Sequence, residues 1–164
     1  MPGPETRHRI EQLRQALGQA LLAGDTREQR LRQVAEVLTD FFGAERCLLG
    51  QVEGDTARAV AGVGLGIAAN AQFATLPSGR GIVGRAVRTG ETQLVDDVLH
   101  DPDYYAASAL TRSELVSPVP RNGQPALMLN LESNRVAAFT VDDAEVLETA
   151  AQWLAGRLDR LLGA

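Results

Sequence analysis

The fold of this chain is decided at Gly79-Arg80-Gly81-Ile82-Val83-Gly84-Arg85-Ala86-Val87, in the middle of the sequence. Its glycines predict a turn that leads into a short apolar segment. A polar loop follows, from Asp96 to Tyr105, and the next strand begins at Arg112-Ser113-Glu114. If the protein binds a small molecule, we expect this central stretch to form the wall of the pocket.

The bulk composition indicates one globular domain. The chain has 164 residues, 45% of them hydrophobic and 23% charged, which is enough to bury a core. A net charge of −5 argues against a nucleic-acid surface. We find no signal sequence and no apolar run of membrane-spanning length, so we expect a cytoplasmic protein without membrane contact. The single cysteine, Cys47, excludes an intramolecular disulfide and a cysteine-rich metal site.

Two amphipathic helices are predicted before the first strand. The first runs from Pro4 to Ala23 and carries a narrow apolar stripe. Asp25, with Glu28 three residues later, predicts a capping box at the start of the second helix, which Gly43 closes. The apolar side of this second helix includes Leu31, Val34, Ala35, Leu38, Phe41 and Phe42.

The rest of the chain predicts mainly strands and one long helix. Cys47–Val52 and Ala57–Val63 form a hairpin pattern, and Ala126–Ser133 alternates apolar and polar side chains. Between these segments we expect a helical turn at Ile67–Gln72 and a short strand at Phe73–Leu76. Further turn and cap signals are Asn122-Gly123, Pro125 at a strand start, and Thr140 with Asp143 at the last helix.

From about Asp25 to Leu162 the chain resembles a GAF domain, the small-molecule sensing module of many signalling proteins. The matching motifs are Pro77-x-Gly79-x-Gly81-Ile82-Val83-Gly84-x-Ala86-Val87, Asp96-Asp97-Val98, Tyr104-Tyr105, Arg112-Ser113-Glu114-Leu115-x-x-Pro118, Leu129-Asn130-Leu131-Glu132-Ser133 and Phe139-Thr140-x-x-Asp143. The resemblance implies an α+β fold with a central antiparallel sheet of five or six strands. It places the N- and C-terminal helices on one face, and pocket loops with short helices on the other. We assign residues 25–164 to the domain and 1–24 to an N-terminal helix.

Among catalytic members, the chain is most similar to the stand-alone free methionine-(R)-sulfoxide reductases. That chemistry needs a thiolate to attack the sulfoxide and further thiols to resolve the product. Aligned on the glycine motif, the cysteine positions of such an enzyme fall on Phe73, Val83 and Ala107. The aromatic wall of its site would fall near Arg46 and Gly50. We therefore expect the scaffold of that enzyme without its catalytic cysteines.

The candidate ligand site centres on Glu114, Asn130 and Glu132. The resemblance places Glu114 at a carboxylate of the substrate site, with Asn130 and Glu132 replacing two acidic residues of the neighbouring strand. Such a set could hold a cation or an amino-acid-like amine. The alternative is structural, with Glu114 paired to Arg80, Arg112 or a backbone N–H. The remaining candidate pocket residues are Met128, Tyr104, Tyr105, Val83 and Phe73.

Other ligand classes fit less well. Asp96, Asp97, Asp101 and Asp103 lack the spacing of a calcium loop and have the ordinary chemistry of turns around Pro102. A bilin site and a cyclic-nucleotide site resemble the sequence only in part. We expect no metal and no cofactor, and the small molecule stays unidentified.

The terminal helices are the second functional feature. In the family that the chain resembles, the first and last helices often pair with those of a second subunit. We therefore predict a homodimer interface, with the alternative that the first helix folds back on its own subunit. The predicted interface residues are Ile10, Leu13, Leu17, Leu21, Leu147, Leu154, Leu158 and Leu161.

Three functions follow from these observations. We expect a non-catalytic, signalling-related GAF domain that senses a small molecule as a dimer. One alternative is a reductase-like enzyme acting on a small oxidised metabolite such as free methionine sulfoxide. The other is a protein-interaction domain with a vestigial pocket.

Overall fold

The computed structural model describes residues 1–64, 80–104 and 110–163. Its helices are α1 (Pro4–Ala23), α2 (Arg27–Phe42), α3 (Gly81–Thr89), α4 (Val141–Ala155) and α5 (Leu158–Leu162), with a 3-10 helix at Val98–His100. Its strands are β1 (Arg46–Glu53), β2 (Thr56–Val63), β3 (Gln93–Val95), β4 (Ser113–Arg121) and β5 (Gln124–Ser133). The helical turn and strand predicted within 67–76 lie outside the described residues.

The described strands form one five-stranded antiparallel sheet in the order β2-β1-β5-β4-β3. The long hairpin of β4 and β5 therefore lies near the middle, with the β1–β2 hairpin on one side and the three-residue β3 on the other. The turn of the long hairpin has positive φ at Asn122 (53°) and Gly123 (78°), as the Asn-Gly pair predicts. The α+β fold class predicted from the sequence is confirmed.

One face of the sheet carries the main hydrophobic core. Because strand side chains alternate, the odd-numbered residues of β1, β4 and β5 point to this side, including Cys47, Leu115 and Leu129. Helices α2 and α4 cover it, α2 against β1 and β2 and α4 against β4. The sequence predicted the first helix in this layer, whereas α1 packs against α2 and α4 as an outer layer.

The apolar stripe of α1 is buried inside the single chain. Leu13 and Leu17 have no exposed surface, because α2 and α4 enclose them, and ion pairs from Arg9 to Asp142 and Asp143 fasten the start of α1 to the start of α4. The matching residues of the C-terminal helices are enclosed in the same core: Leu147, Leu154, Leu158 and Leu161.

The predicted dimer interface stays a prediction. Within the single chain each of its eight residues is buried, the most exposed at 9%: Ile10, Leu13, Leu17, Leu21, Leu147, Leu154, Leu158 and Leu161. This burial is what the alternative predicts, in which the first helix folds back on its own subunit. Homodimerisation itself also stays a prediction.

Local signals fix most helix ends, with one correction. Gly43 closes α2 with φ 64°, and Thr140 and Asp143 form the capping box predicted for the last long helix. The capping box of α2 is formed by Thr26 and Gln29, one residue later than the predicted Asp25 and Glu28. The hydroxyl oxygen of Thr26 accepts a hydrogen bond from the backbone N–H of Gln29, and Gln29 Oε1 accepts one from the backbone N–H of Thr26.

Among the described strands, two prolines lie where β4 extends past β3. β3 pairs only with residues 114–116 of β4, so the later part of β4 extends past it. Pro118 and Pro120 occupy this extension. None of the helices in the described part of the chain is long and apolar enough to cross a membrane.

Candidate functional site

The face of the sheet opposite the main core carries a row of charged residues. Arg46 of β1 is the register partner of Glu132 of β5, and Glu132 is in turn the partner of Glu114 of β4. Cross-strand partners share a face, so the three side chains lie side by side across the sheet. All three are buried, with Arg46 6%, Glu114 4% and Glu132 5% exposed.

Arg46 is held by several oxygen atoms. Its Nη2 donates to Thr111 Oγ1 at 2.9 Å and to Asn134 Oδ1 at 2.7 Å, and its Nε lies 3.6 Å from Glu132 Oε2. Thr111 also donates weakly to Glu132 Oε1 at 3.4 Å. The ion pair is therefore buried and braced by neutral hydrogen-bonding groups on both sides.

Asn130 completes this group from the next position along β5. It is 4% exposed, lies opposite Val116, and its side chain acts to lower the pKa of Glu114. We refer to Arg46, Thr111, Glu114, Asn130 and Glu132 as the polar cluster. Two buried atoms of the cluster, Asn130 Oδ1 and Arg46 Nε, have no hydrogen-bond partner among the residues that the structure describes. Leaving such atoms unpaired costs stability, and in native proteins they often mark a place where a ligand or ion binds.

The two carboxylates are strongly perturbed by their surroundings. Burial raises the pKa of Glu114 well above its usual range, the neighbouring Glu132 raises it further, and the Asn130 side chain opposes both. Burial also raises the pKa of Glu132, while Arg46 and Thr111 act in the opposite direction. Strongly perturbed carboxyl groups in one cluster are typical of functional sites.

Tyr104 brings the polar loop to the edge of the polar cluster. Burial raises the pKa of its phenol, Glu114 and Glu132 add to that increase, and a hydrogen bond with Thr111 opposes it. The ring also packs on the apolar residues beside the cluster. The structure therefore places Tyr104 near Glu114. Tyr105 and Phe73, the other predicted aromatic contacts, lie outside the described residues.

Val83 and Met128 lie next to the polar cluster in a second hydrophobic core. Val83 lies on α3, and Met128 lies on β5 two positions before Asn130, on the same face of the strand. Both are buried, with Ile82, Val116 and Leu48 around them. The site face is thus polar at one end and apolar along the rest.

The aspartates of the loop hold it in place by ion pairs. Arg85 of α3 donates to both oxygens of Asp101 at 2.9 Å and to Asp103 at 3.0 Å. Arg112 contacts Asp97 at 3.1 Å, so it is not the partner of Glu114 considered from the sequence. In the described ranges no group of His, Cys, Asp or Glu is placed to hold a metal ion.

Cys47 is on the wrong side of the sheet for this site. It neighbours Arg46 along β1 and therefore points to the opposite face, into the main core. It is fully buried, and burial raises the pKa of its thiol to about 12. A protonated thiol without access to the site is neither a nucleophile nor a metal ligand there.

Sequence reasoning missed Arg46 and Thr111. Arg46 was considered only as the place of a missing aromatic wall, although a lone arginine at the start of an apolar strand was a signal that it needs a buried partner. Thr111 gave no signal of its own, because its role depends on the three-dimensional position of Arg46.

The structure is a helix-backed antiparallel sheet with a buried polar cluster on the face opposite the main core. A family model described as a GAF domain matches residues 24–158. The chain therefore belongs to the GAF domain family.

Known relatives include both reductases and sensors. The free methionine-R-sulfoxide reductase of Saccharomyces cerevisiae is 35% identical over 75 residues, 45% of this chain and 42% of that protein. The structure of free methionine-R-sulfoxide reductase from Neisseria meningitidis in complex with its substrate has a TM-score of 0.80 at 26% identity, covering 99% of this chain and 95% of the other. A putative GAF sensor protein from Burkholderia vietnamiensis has a TM-score of 0.81 at 17% identity, covering 96% and 98%, which shows the shared fold. The aligned segment is less than half the length of the curated relatives it matches.

Proposed function

We propose that this chain is a non-catalytic GAF module that binds a small cationic or amino-acid-like ligand at the polar cluster. One observation carries the proposal: Asn130 Oδ1 is buried and unpartnered within the described residues, beside two buried carboxylates. The carboxylates of Glu114 and Glu132 would receive an ammonium group. Asn130 Oδ1 would accept one of its protons.

The apolar side chains beside the cluster favour a ligand with an aliphatic part. Val116 and Met128 continue from Glu114 and Asn130 along the same face, so a bound molecule with its amine at the carboxylates would lie over apolar side chains. The polar loop, with Tyr104 at its end, approaches from above the charged end.

Binding of the ligand class can be tested directly by calorimetry. We expect free methionine sulfoxide or a free amino acid to bind the wild type, and Glu114→Gln to weaken the binding tenfold or more, since the variant lacks a charge opposite the ammonium. Glu148→Gln, an exposed carboxylate on α4, is the matched control and should bind as the wild type does. A cyclic nucleotide binding instead, or equal affinity in both variants, would contradict the proposal.

Reductase activity is the second candidate, because two similar proteins are free methionine-R-sulfoxide reductases. Against it stands the buried position of Cys47, the chain's single cysteine, on the far face of the sheet. An assay with free methionine sulfoxide and a thioredoxin system should give no turnover. Turnover that Cys47→Ser abolishes would establish the enzyme and end the non-catalytic proposal.

A further inference from the structure

The two carboxylates of the polar cluster are direct neighbours across the sheet. Glu114 and Glu132 are register partners on β4 and β5, which places their Cβ atoms about 4.5–5.5 Å apart. Both side chains are almost completely shielded from water. Two carboxylate charges at this separation repel each other strongly in a buried environment.

The cationic groups of the site are too few to neutralise both. Arg46 is the buried cation beside Glu132, with its Nε 3.6 Å from Oε2. Arg85 lies on the other side of Glu114, but its guanidinium is already paired with Asp101 at 2.9 Å and Asp103 at 3.0 Å. Within the described residues, one negative charge of the pair is left without a counter-charge, and a buried charge must be paired or lost.

We propose that the empty site keeps one proton on the Glu114–Glu132 pair, and that a cationic ligand binds by replacing that proton. The inference rests on the proposed function and adds its regulation by pH. The exchange is balanced: the ligand's ammonium group enters with its own protons, one carboxyl O–H bond breaks, and that proton leaves to the solvent. The net charge of the buried cluster is the same before and after.

The charges around Glu114 favour this state. Burial and the Glu132 carboxylate both hold the pKa of Glu114 above its usual range. The titratable and charged groups that face it, among the described residues, come from four places: Glu132 on β5, Arg46 on β1, Arg85 on α3, and Asp101 and Tyr104 on the loop. Asp101 adds to the negative potential, and Arg85 reduces it.

Calorimetry in buffers of different ionisation enthalpy measures the exchange. With free methionine sulfoxide as the probe, we expect up to one proton released per molecule bound. The affinity should fall by about tenfold for each pH unit below the pKa of the pair. Glu114→Gln should release almost no protons on binding, and Glu148→Gln should release as many as the wild type. Binding of the probe to the wild type without proton release would contradict the proposed exchange of a proton for the ligand.

Infrared spectroscopy of the protein without ligand tests directly whether a proton is held on the Glu114–Glu132 pair. At neutral pH the wild type should show the carbonyl stretch of a protonated carboxylic acid, which Glu114→Gln removes and Glu148→Gln keeps. Absence of this band in the wild type overturns the inference. If the carboxylic-acid band is present but free methionine sulfoxide does not bind, the proposed function is contradicted while the shared proton is supported. Failure of the proposed function can therefore be distinguished from failure of this inference.

Discussion

At the scale of single residues, Arg46 is the side chain on which the polar cluster depends. Its guanidinium is buried, and it is the cation that pairs with Glu132. We expect Arg46→Met to lower the free energy of unfolding by about 3–5 kcal/mol, because it leaves a carboxylate buried without its partner. Arg32→Met, which removes an exposed pair with Glu36, should cost no more than about 0.5 kcal/mol. Urea unfolding measures the free energy of unfolding of both variants. An equal loss of stability in the two would contradict the assignment of Arg46 as the buried partner of Glu132.

The raised pKa of Glu114 makes the stability of the protein depend on pH. The folded state keeps a proton that the unfolded state loses, so this group destabilises the fold as the pH rises from its ordinary pKa towards the raised one. Below the ordinary pKa both states are protonated and the effect disappears. Glu114→Gln should therefore gain stability relative to the wild type with increasing pH, by up to about 1.4 kcal/mol per pH unit inside that window. Parallel unfolding curves of the two proteins across a pH series would refute this.

Three of the five residues of the polar cluster were candidates from the sequence. Period-two alternation groups Asn130 and Glu132 on one face of β5, and the family resemblance adds Glu114. The partners of Arg46 and Thr111 could not be assigned, because their contacts depend on which strands are neighbours and in which register. That order places β1, from the start of the chain, next to β5, and no local pattern encodes it.

At the scale of secondary-structure elements, the start of α2 offers a sharp test. Thr26→Ala should lower stability by about 1 kcal/mol, because it removes the hydroxyl that caps the Gln29 N–H. Asp25→Ala is the matched control one residue earlier, and its side chain makes no capping bond, so we expect little change. Thermal unfolding measures both. A larger loss for Asp25→Ala would restore the cap predicted from the sequence.

The loop that carries Tyr104 is held by Arg85. Removing this side chain in Arg85→Met frees Asp101 and Asp103, so backbone amides 98–103 should exchange hydrogen faster while the sheet keeps its protection. Arg88→Met, an exposed position on the same helix, is the control. Hydrogen exchange followed by mass spectrometry compares the loop amides of the two variants. Equal exchange rates would show that the ion pairs of Arg85 do not order the loop.

Element positions followed from the sequence more reliably than element contacts. The helices from Pro4 and Thr140, the β1–β2 hairpin and the Asn122-Gly123 turn are each encoded by local periodicity, capping or turn chemistry. The local signals did not specify which helices enclose α1, because an amphipathic stripe predicts that a helix is buried but not against which element.

At the scale of the whole molecule, α1 is part of the core and its loss should unfold the domain. Leu17→Ala should cost about 2–5 kcal/mol, independent of protein concentration, because α2 and α4 enclose the side chain within one chain. Leu22, on the same helix but 72% exposed, should tolerate alanine with little change. Unfolding at several protein concentrations distinguishes the cases, since a residue in a subunit interface would show a midpoint that rises with concentration.

Pro118 and Pro120 also limit how the part of β4 beyond β3 can pair with another strand. Among the described strands β3 reaches only residues 114–116 of β4, and the two prolines beyond it have no backbone N–H to donate. A strand added beside this part of β4 would therefore find fewer hydrogen-bond donors than a regular strand offers.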